Sequence, residues 1–567
     1  MADKKEDLLF ELLRQTKLFN DVQLDQLALD DRHGDASITE SVVRLGLASE
    51  EDFLVAAANL LGLEYLDVSS IEPTQDLIEK LPARAVYQYN VIPVLFDGDV
   101  LTIATSDPLN LSLVDSLRMA SGYQIRAVVC TTEKIGKQAR KFYGVGGDTF
   151  ESMMSGGRYD LEVADDTKYD LSDVGQEASI VRFVNQIVAE ADRQGATDIH
   201  VEPMEHELRI RYRIDGLLHK VDVPAQLHRV QAAVISRLKV MANLDIAEKR
   251  MPMDGRIGIR VNGKEIDIRV STCPTVYGES ISLRLLQKGG GLVRLSQLGM
   301  SPKNEKLMMR TIHRPNGIVL VTGPTGSGKS TSLYAFLHEI NTVDKRILTA
   351  EEPVEYEMPG INQVLVRPDI GLTFARVLRS FLRQDPDILM VGEVRDVETA
   401  EIAINASLTG HLVFSTLHTN DAAGAFARLI DMGVEPFLVA SSVIVVMAQR
   451  LLRRLCPSCK EEGEADPALL ERMEINPEIF RGRKIYNSRG CQLCSQTGYR
   501  GRGGIFEILP VTDSIRAMVT EHRPSLEIRD RAIEEGMATL RDDGWAKVFD
   551  GFTTIEEVLR VAEDQGD

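Results

Sequence analysis

One stretch of eight residues constrains this chain more than any other: Gly323-Pro324-Thr325-Gly326-Ser327-Gly328-Lys329-Ser330. It satisfies G-x-x-x-x-G-K-[ST] at every fixed position. Before it, Gly317-Ile318-Val319-Leu320-Val321 is a short apolar run that reads as a buried strand. After it, from Thr331, come Leu333, Phe336, Leu337 and Ile340 at helical spacing. Strand, glycine loop and helix together predict a polyphosphate site. Glycines let backbone N–H groups curl around oxygen anions, and a helix N-terminus adds partial positive charge. In such a loop Gly323 to Thr331 line the nucleotide, Lys329 reaches the β- and γ-phosphates, and the Ser330 hydroxyl holds Mg²⁺.

A phosphate loop specifies nucleotide binding but not the work done, so the acids around it matter. Ile388-Leu389-Met390-Val391-Gly392-Glu393 is an apolar strand that ends in a carboxylate, where a Mg²⁺-associated acid is expected. Glu351-Glu352-Pro353-Val354-Glu355 also follows an apolar run, and a carboxylate there is placed to orient the attacking water. In residues 410–420 His411 and His418 flank a strand-like run. This pair is read as contacting either the γ-phosphate or a subunit interface.

Four of the six cysteines form two C-x-x-C pairs, Cys456/Cys459 and Cys491/Cys494, with 31 residues (460–490) between them. Thiolates in two knuckles close a tetrahedral Zn²⁺ site. The gap exceeds usual ribbon spacing, so a small insertion is expected between the knuckles. With no histidine or open ligand position, the site reads as structural. The net charge of -20 argues against broad nucleic-acid binding. The most apolar run, residues 437–448, is shorter than the ~20 residues a membrane span needs. No secretory signal is visible in MADKKEDLLF. A soluble protein is expected, with any membrane role exercised through partners.

The organisation reads as residues 1–145, a small mixed docking domain; 146–175, a polar flexible linker; 176–290, a second domain; and 295–567, the nucleotide-binding domain, with a tetracysteine element at 450–505. In the first domain, Ser49 and Asp52 cap a helix that Gly62 ends, and residues 91–105 form two strands around an Asp-Gly turn. In the second, Arg209, Arg211 and Arg213 alternate with Leu208, Ile210, Tyr212 and Ile214, which puts three arginines on one strand face.

Together these features resemble the secretion-ATPase superfamily, specifically the traffic ATPases of type II secretion and type IV pilus assembly. The resemblance covers about residues 176–567. It rests on the phosphate loop, the acidic box at 351–355, Gly392-Glu393, the histidine box at 410–418, the tetracysteine insert and Ala196-Thr197-Asp198-Ile199-His200-Val201-Glu202-Pro203. It implies an α/β fold: a RecA-like ATPase domain, a PAS-like α+β second N-terminal domain, a further small N-terminal α/β domain and a zinc-bound insert. By resemblance Glu355 activates water, Glu393 attends Mg²⁺, and Arg211, Arg213 and Arg229 reach ATP from the PAS-like domain, with Arg269 and Arg284 behind them. Glu352 stands where the family usually has Asp, and the first domain matches poorly. No repeated Leu-Gly motif of the kind that binds cyclic di-GMP in some members is found.

The resemblance further implies ATP, Mg²⁺ and Zn²⁺ as bound groups and a cytoplasmic homohexamer. Its partners would be an inner-membrane platform protein and a membrane-anchored protein with a cytoplasmic domain. Residues 421–424 and 431–437 look more like the type II branch, in which the motor drives pseudopilus assembly. The alternative is a pilus-extension motor. From other classes come a nucleic-acid-translocating hexamer and a nucleotide-gated scaffold.

Overall fold

The computed structural model describes residues 13–562, apart from 150–172, the short stretches 15–17, 32–36, 262–263 and 288–292, and residues 73, 111, 148 and 474. The chain divides into two compact units, Met1–Leu286 and Gln287–Asp567.

The first unit begins with helices and a small sheet. Ser49 accepts from the Asp52 N–H and starts the helix Glu50–Leu61, and Gly62 closes it at φ +67. That left-handed cap suits glycine, which carries no Cβ. β1 (Val91–Asp97) pairs antiparallel with β2 (Val100–Thr105) across the expected tight turn, and β2 pairs parallel with β3 (Gln124–Val129). Then comes a six-stranded sheet. Its members are β4 (Ala196–Pro203), β5 (Leu208–Ile214), β6 (Leu217–Lys220), β7 (Met253–Val261), β8 (Lys264–Thr275) and β9 (Gly278–Gln287), in the order β6-β5-β4-β9-β8-β7.

Period-two alternation buries Leu208, Ile210 and Tyr212 of β5 beneath the helices Asp173–Arg193 and Gln231–Met241, and leaves the arginines on the other face. The Tyr212 hydroxyl donates to the Ile187 carbonyl at 2.7 Å and fixes the first helix on the sheet. Buried Lys239 pairs with Glu279 at 2.9 Å and ties the second helix to β9. Within this unit the segment after the helix Thr132–Tyr143 is bonded to the one after β6: the Val145 N–H donates to the Asp222 carbonyl at 2.7 Å. Most of the stretch read as a tether, residues 150–172, lies outside the described residues.

The second unit is built on seven strands: β10 (Gly317–Thr322), β11 (Ile347–Glu351), β12 (Asn362–Leu365), β13 (Ile388–Val391), β14 (Leu412–Leu417), β15 (Val443–Leu455) and β18 (Tyr499–Pro510). Their order is β12-β11-β13-β14-β10-β15-β18, parallel throughout except for the antiparallel β15–β18 edge. A parallel sheet is covered on both faces, so its strands are continuously apolar. Here β10, β13 and β14 are buried along their whole length. Val319, Val321, Met390 and Phe414 pack on one side with Leu333 and Phe336. Ile318, Leu320, Val391 and Val413 pack on the other with Phe426.

Between the cysteine pairs, β16 (Lys460–Gly463) and β17 (Ile485–Ser488) form an antiparallel ribbon with the short helix Pro467–Arg472. This is the expected insertion, and it shares an apolar core with the helices Leu540–Phe549 and Ile555–Val561. Among the described residues no helix is long and apolar enough to cross a membrane. The apolar run at 437–448 is a short helix, Pro436–Ser442, turning into β15.

Candidate nucleotide site

Parallel register brings the candidate residues to one edge of the sheet. Thr322 of β10 sits opposite Leu417, Val391 opposite Ser415, and Ala350 opposite Val391. The loop after β10, the acids after β11 and β13, and His418 after β14 therefore emerge together at the carboxyl ends of the strands. Open α/β sheets hold ligands there.

The loop needs its glycines for space as well as for conformation. Gly323 and Gly328 have φ of +148 and +90. A Cβ on Gly323 would stand 2.6 Å from the Gln449 carbonyl oxygen, and one on Gly328 would stand 2.8 Å from the Gln449 amide nitrogen. The helix Lys329–Ile340 starts directly from the loop. Lys329 Nζ donates to the Gly323 and Pro324 carbonyls at 2.8 and 3.1 Å, folded back on the cradle. Burial lowers its pKa, Glu393 opposes that shift and Arg450 adds to it. The buried Ser327 Oγ has no hydrogen-bond partner among the described residues. A phosphate oxygen would satisfy it.

The acids have separable roles. Glu393 is mostly buried; it takes Arg395 Nη2 at 2.5 Å and His418 Nε2 at 3.2 Å. Arg395 also reaches Glu352 at 3.3 Å, so one guanidinium links the two acidic elements. Glu351 is buried and hydrogen-bonded to Tyr334, to Thr349 at 2.6 Å and to Gln363 at 3.1 Å. It anchors the turn, whereas Glu355 is only half-buried. The Tyr334 hydroxyl donates to Glu351 and accepts the Glu355 N–H at 3.1 Å, so it sets where the Glu355 backbone stands. Burial, followed by the Glu351 charge, raises the Tyr334 pKa well above its ordinary value. Tyr334→Phe is expected to lower stability by about 1–3 kcal/mol, because a buried carboxylate loses a donor. Denaturant melts of the full chain check this, and an unchanged midpoint would refute the anchoring role.

The two histidines part company. His418 follows β14 and touches Glu393. His411 precedes β14; its carbonyl accepts the Gly317 N–H at 3.2 Å and its Nδ1 lies 2.8 Å from the Ala406 carbonyl. It stands at the opposite end of the sheet, about 20 Å of strand away from the loop.

The four cysteine sulfurs all lie within 4.8 Å of one another. Three of the separations are 3.7, 3.8 and 3.8 Å. Four thiolates at ~2.3 Å from a tetrahedral Zn²⁺ would be about 3.8 Å apart, so the geometry fits that ion. Backbone N–H groups of Cys491 and Gly498 point at Cys494 Sγ, at 3.1 and 3.2 Å. Burial alone would raise the Cys494 pKa, but these donors help bring it down to about 7.

Comparison with known proteins shows the family. The family model "Type II/IV secretion system protein" matches residues 173–560. The chain belongs to the secretion-ATPase superfamily. A type IV pilus assembly ATPase, PilB of Myxococcus xanthus, is 41% identical over 97% of this ATPase and 98% of its own length. Type II secretion system protein E of Pseudomonas aeruginosa is 51% identical over 70% of this chain and 78% of its own. The crystal structure of the pilus retraction motor PilT with bound ADP aligns at 25% identity over 66% of this chain and 96% of its own, with a TM-score of 0.44. The first domain, poorly matched by the sequence motifs, is matched over residues 61–149 by the MshEN domain model.

Some residues of the ATPase's site escaped the motif reading. Arg395 sits two positions beyond Glu393 and was open to view as a nearby cation. Tyr334 and Gln449 carry no local signal; the fold brings Tyr334 to the acidic box and Gln449 to the phosphate loop. The arginines lie in the other unit. Arg211 is paired with Glu202 at 2.5 Å, Arg213 donates to the Gly216 carbonyl at 2.9 Å and approaches Asp198 at 3.9 Å, and Arg229 is exposed. Arg284 also pairs with Asp198, at 3.0 Å.

Proposed function

We propose that this ATPase works as a cytoplasmic homohexamer, peripheral on the inner membrane, that couples ATP hydrolysis to assembly of a pilin-like filament. The convergence of Lys329, Glu355, Glu393 and His418 at one sheet edge carries the enzymatic part of this reading. In the reaction Lys329 leaves the loop carbonyls for the β- and γ-phosphates, and Ser327 and Ser330 face the same phosphates. Glu355 orients the attacking water. Ser330 and Glu393 would hold Mg²⁺, which neutralises phosphate charge when bound. Arg211, Arg213 and Arg229 would add guanidinium contacts as the PAS-like domain closes on the nucleotide. Opening after hydrolysis would displace a membrane platform partner. Cys456, Cys459, Cys491 and Cys494 would hold Zn²⁺ in a structural role.

Two filaments fit. Residues 421–424 and 431–437 and the 51% identity to a type II secretion protein favour a pseudopilus. The end-to-end match to a pilus assembly ATPase favours a pilus. The enzymatic reading is tested with Glu355→Gln. ATP turnover is expected to fall by at least about 10²-fold while ATP affinity stays within about threefold, since the loop is untouched. Parent-like turnover would remove Glu355 from its role. Affinity capture from membranes with the full chain then separates the machines by which platform is recovered.

A further inference from the structure

Strand β15 runs parallel to β10, with Ala448 opposite Thr322. Arg450 therefore emerges two positions further on, at the carboxyl edge and level with the start of the phosphate loop. Gln449 forms the wall against which the loop packs: its carbonyl and amide occupy the space a side chain at Gly323 or Gly328 would need. It is held by Ser332, whose Oγ donates to Gln449 Oε1 at 2.7 Å. This stretch of β15 and the loop are one packed body, and Arg450 grows from it.

The Arg450 guanidinium is half-buried, with Nη1 on the Gln449 carbonyl at 3.1 Å and Nη2 on the Asn420 carbonyl at 2.9 Å. Its Nε–H makes no hydrogen bond among the described residues, and a guanidinium offers five N–H donors in all. Burial lowers the Arg450 pKa although two nearby acids, Glu507 and Asp421, favour its charge, and Asp421 is itself taken by the Gly424 N–H at 2.7 Å. Glu507 is occupied by the Ala422 N–H at 2.9 Å, and burial pushes its pKa upward. Arg450 and Lys329 also repel each other through space. Two half-buried cations beside a loop shaped for polyphosphate call for an anion that pairs with both.

We propose that Arg450 is a second cation of the phosphate site, contacting the terminal phosphate of bound nucleotide and so distinguishing triphosphate from diphosphate. Its second hand, on Asn420, lies two residues from His418, which touches Glu393. A guanidinium drawn toward the phosphate pulls on the loop that positions the Mg²⁺-associated acid. The proposal rests on the nucleotide reading above and adds a residue that its motifs do not contain.

The test measures the affinities of the full chain for fluorescent ATP and ADP analogues with Mg²⁺, in the parent, Arg450→Gln and Arg450→Lys. Arg450→Gln is expected to weaken the ATP analogue by about tenfold or more and the ADP analogue by less than about threefold, the size of one charge-assisted contact. Equal weakening of both analogues, or of neither, would overturn the proposal, because a merely structural arginine shifts them together. If thermal melts show Arg450→Gln unfolded, Arg450→Lys decides, with an unchanged ATP-to-ADP preference as the overturning result. A parent chain that binds neither nucleotide would instead strike down the nucleotide reading itself.

Discussion

Lys329→Ala is expected to lower ATP turnover by at least about 10³-fold in a chain that still folds. The effect is large because phosphoryl transfer asks little covalent work of a protein; positioning and charge neutralisation are most of the catalysis. Lys329 is the cation rooted in the loop itself, at the first turn of the helix Lys329–Ile340. The fold should survive for a reason visible in the same contacts. Among the described residues Lys329 Nζ bonds only the Gly323 and Pro324 carbonyls, and Pro324 stands exposed to water. Truncation also removes a cation that burial and Arg450 both disfavour. Phosphate release at saturating ATP measures the first effect, and the thermal midpoint measures the second. Parent-like hydrolysis would remove the assignment. A collapsed midpoint would show that the lysine was holding the loop together.

This contrast shows what a sequence can and cannot carry. The phosphate loop, Glu393 and the cysteine pairs were legible because their chemistry is set by local spacing: a glycine cradle, an acid at the end of an apolar strand, two thiols on a knuckle. His411 and His418 belong to one motif, yet only His418 reaches the site. A strand carries its two ends to opposite edges of the sheet, and direction decides which end is useful. In the sequence Glu351 has no role of its own beside Glu355. Burial and three side-chain partners make it an anchor instead. Tyr334, Gln449 and Arg450 reach the site through tertiary packing, from a helix and from a strand remote in sequence. No spacing rule announces them. In the first unit, the period-two pattern gave the arginine face of β5 correctly. It did not reveal that Glu202 and Asp198 of β4 stand opposite to pair with those arginines.

Cys491→Ser should abolish metal binding and loosen the insert while leaving the phosphate loop able to bind ATP. The parent is expected to carry about one zinc per chain, because four sulfurs close a tetrahedron and leave no open position. Structural zinc contributes on the order of 10 kcal/mol to the fold around it, so three cysteines do not substitute for four. What that energy holds is specific. The knuckles pin both ends of the segment containing β16, β17 and the helix Pro467–Arg472. The ring of Phe480 in that segment packs edge-on against Trp545 at 5.3 Å, and Ile485 and Leu470 share the same core. Trp545 is the chain's only tryptophan, so its fluorescence reports this core and nothing else. Metal loss, through Cys491→Ser or a strong chelator, is expected to red-shift that emission as water enters, with ATP affinity changed less than about threefold because Gln449, the loop's wall on β15, is held by Ser332 of the loop's own helix and not by the insert. Full zinc content in the variant would break the four-thiolate assignment. An unmoved emission maximum after complete metal removal would show that the insert's apolar core stands without it.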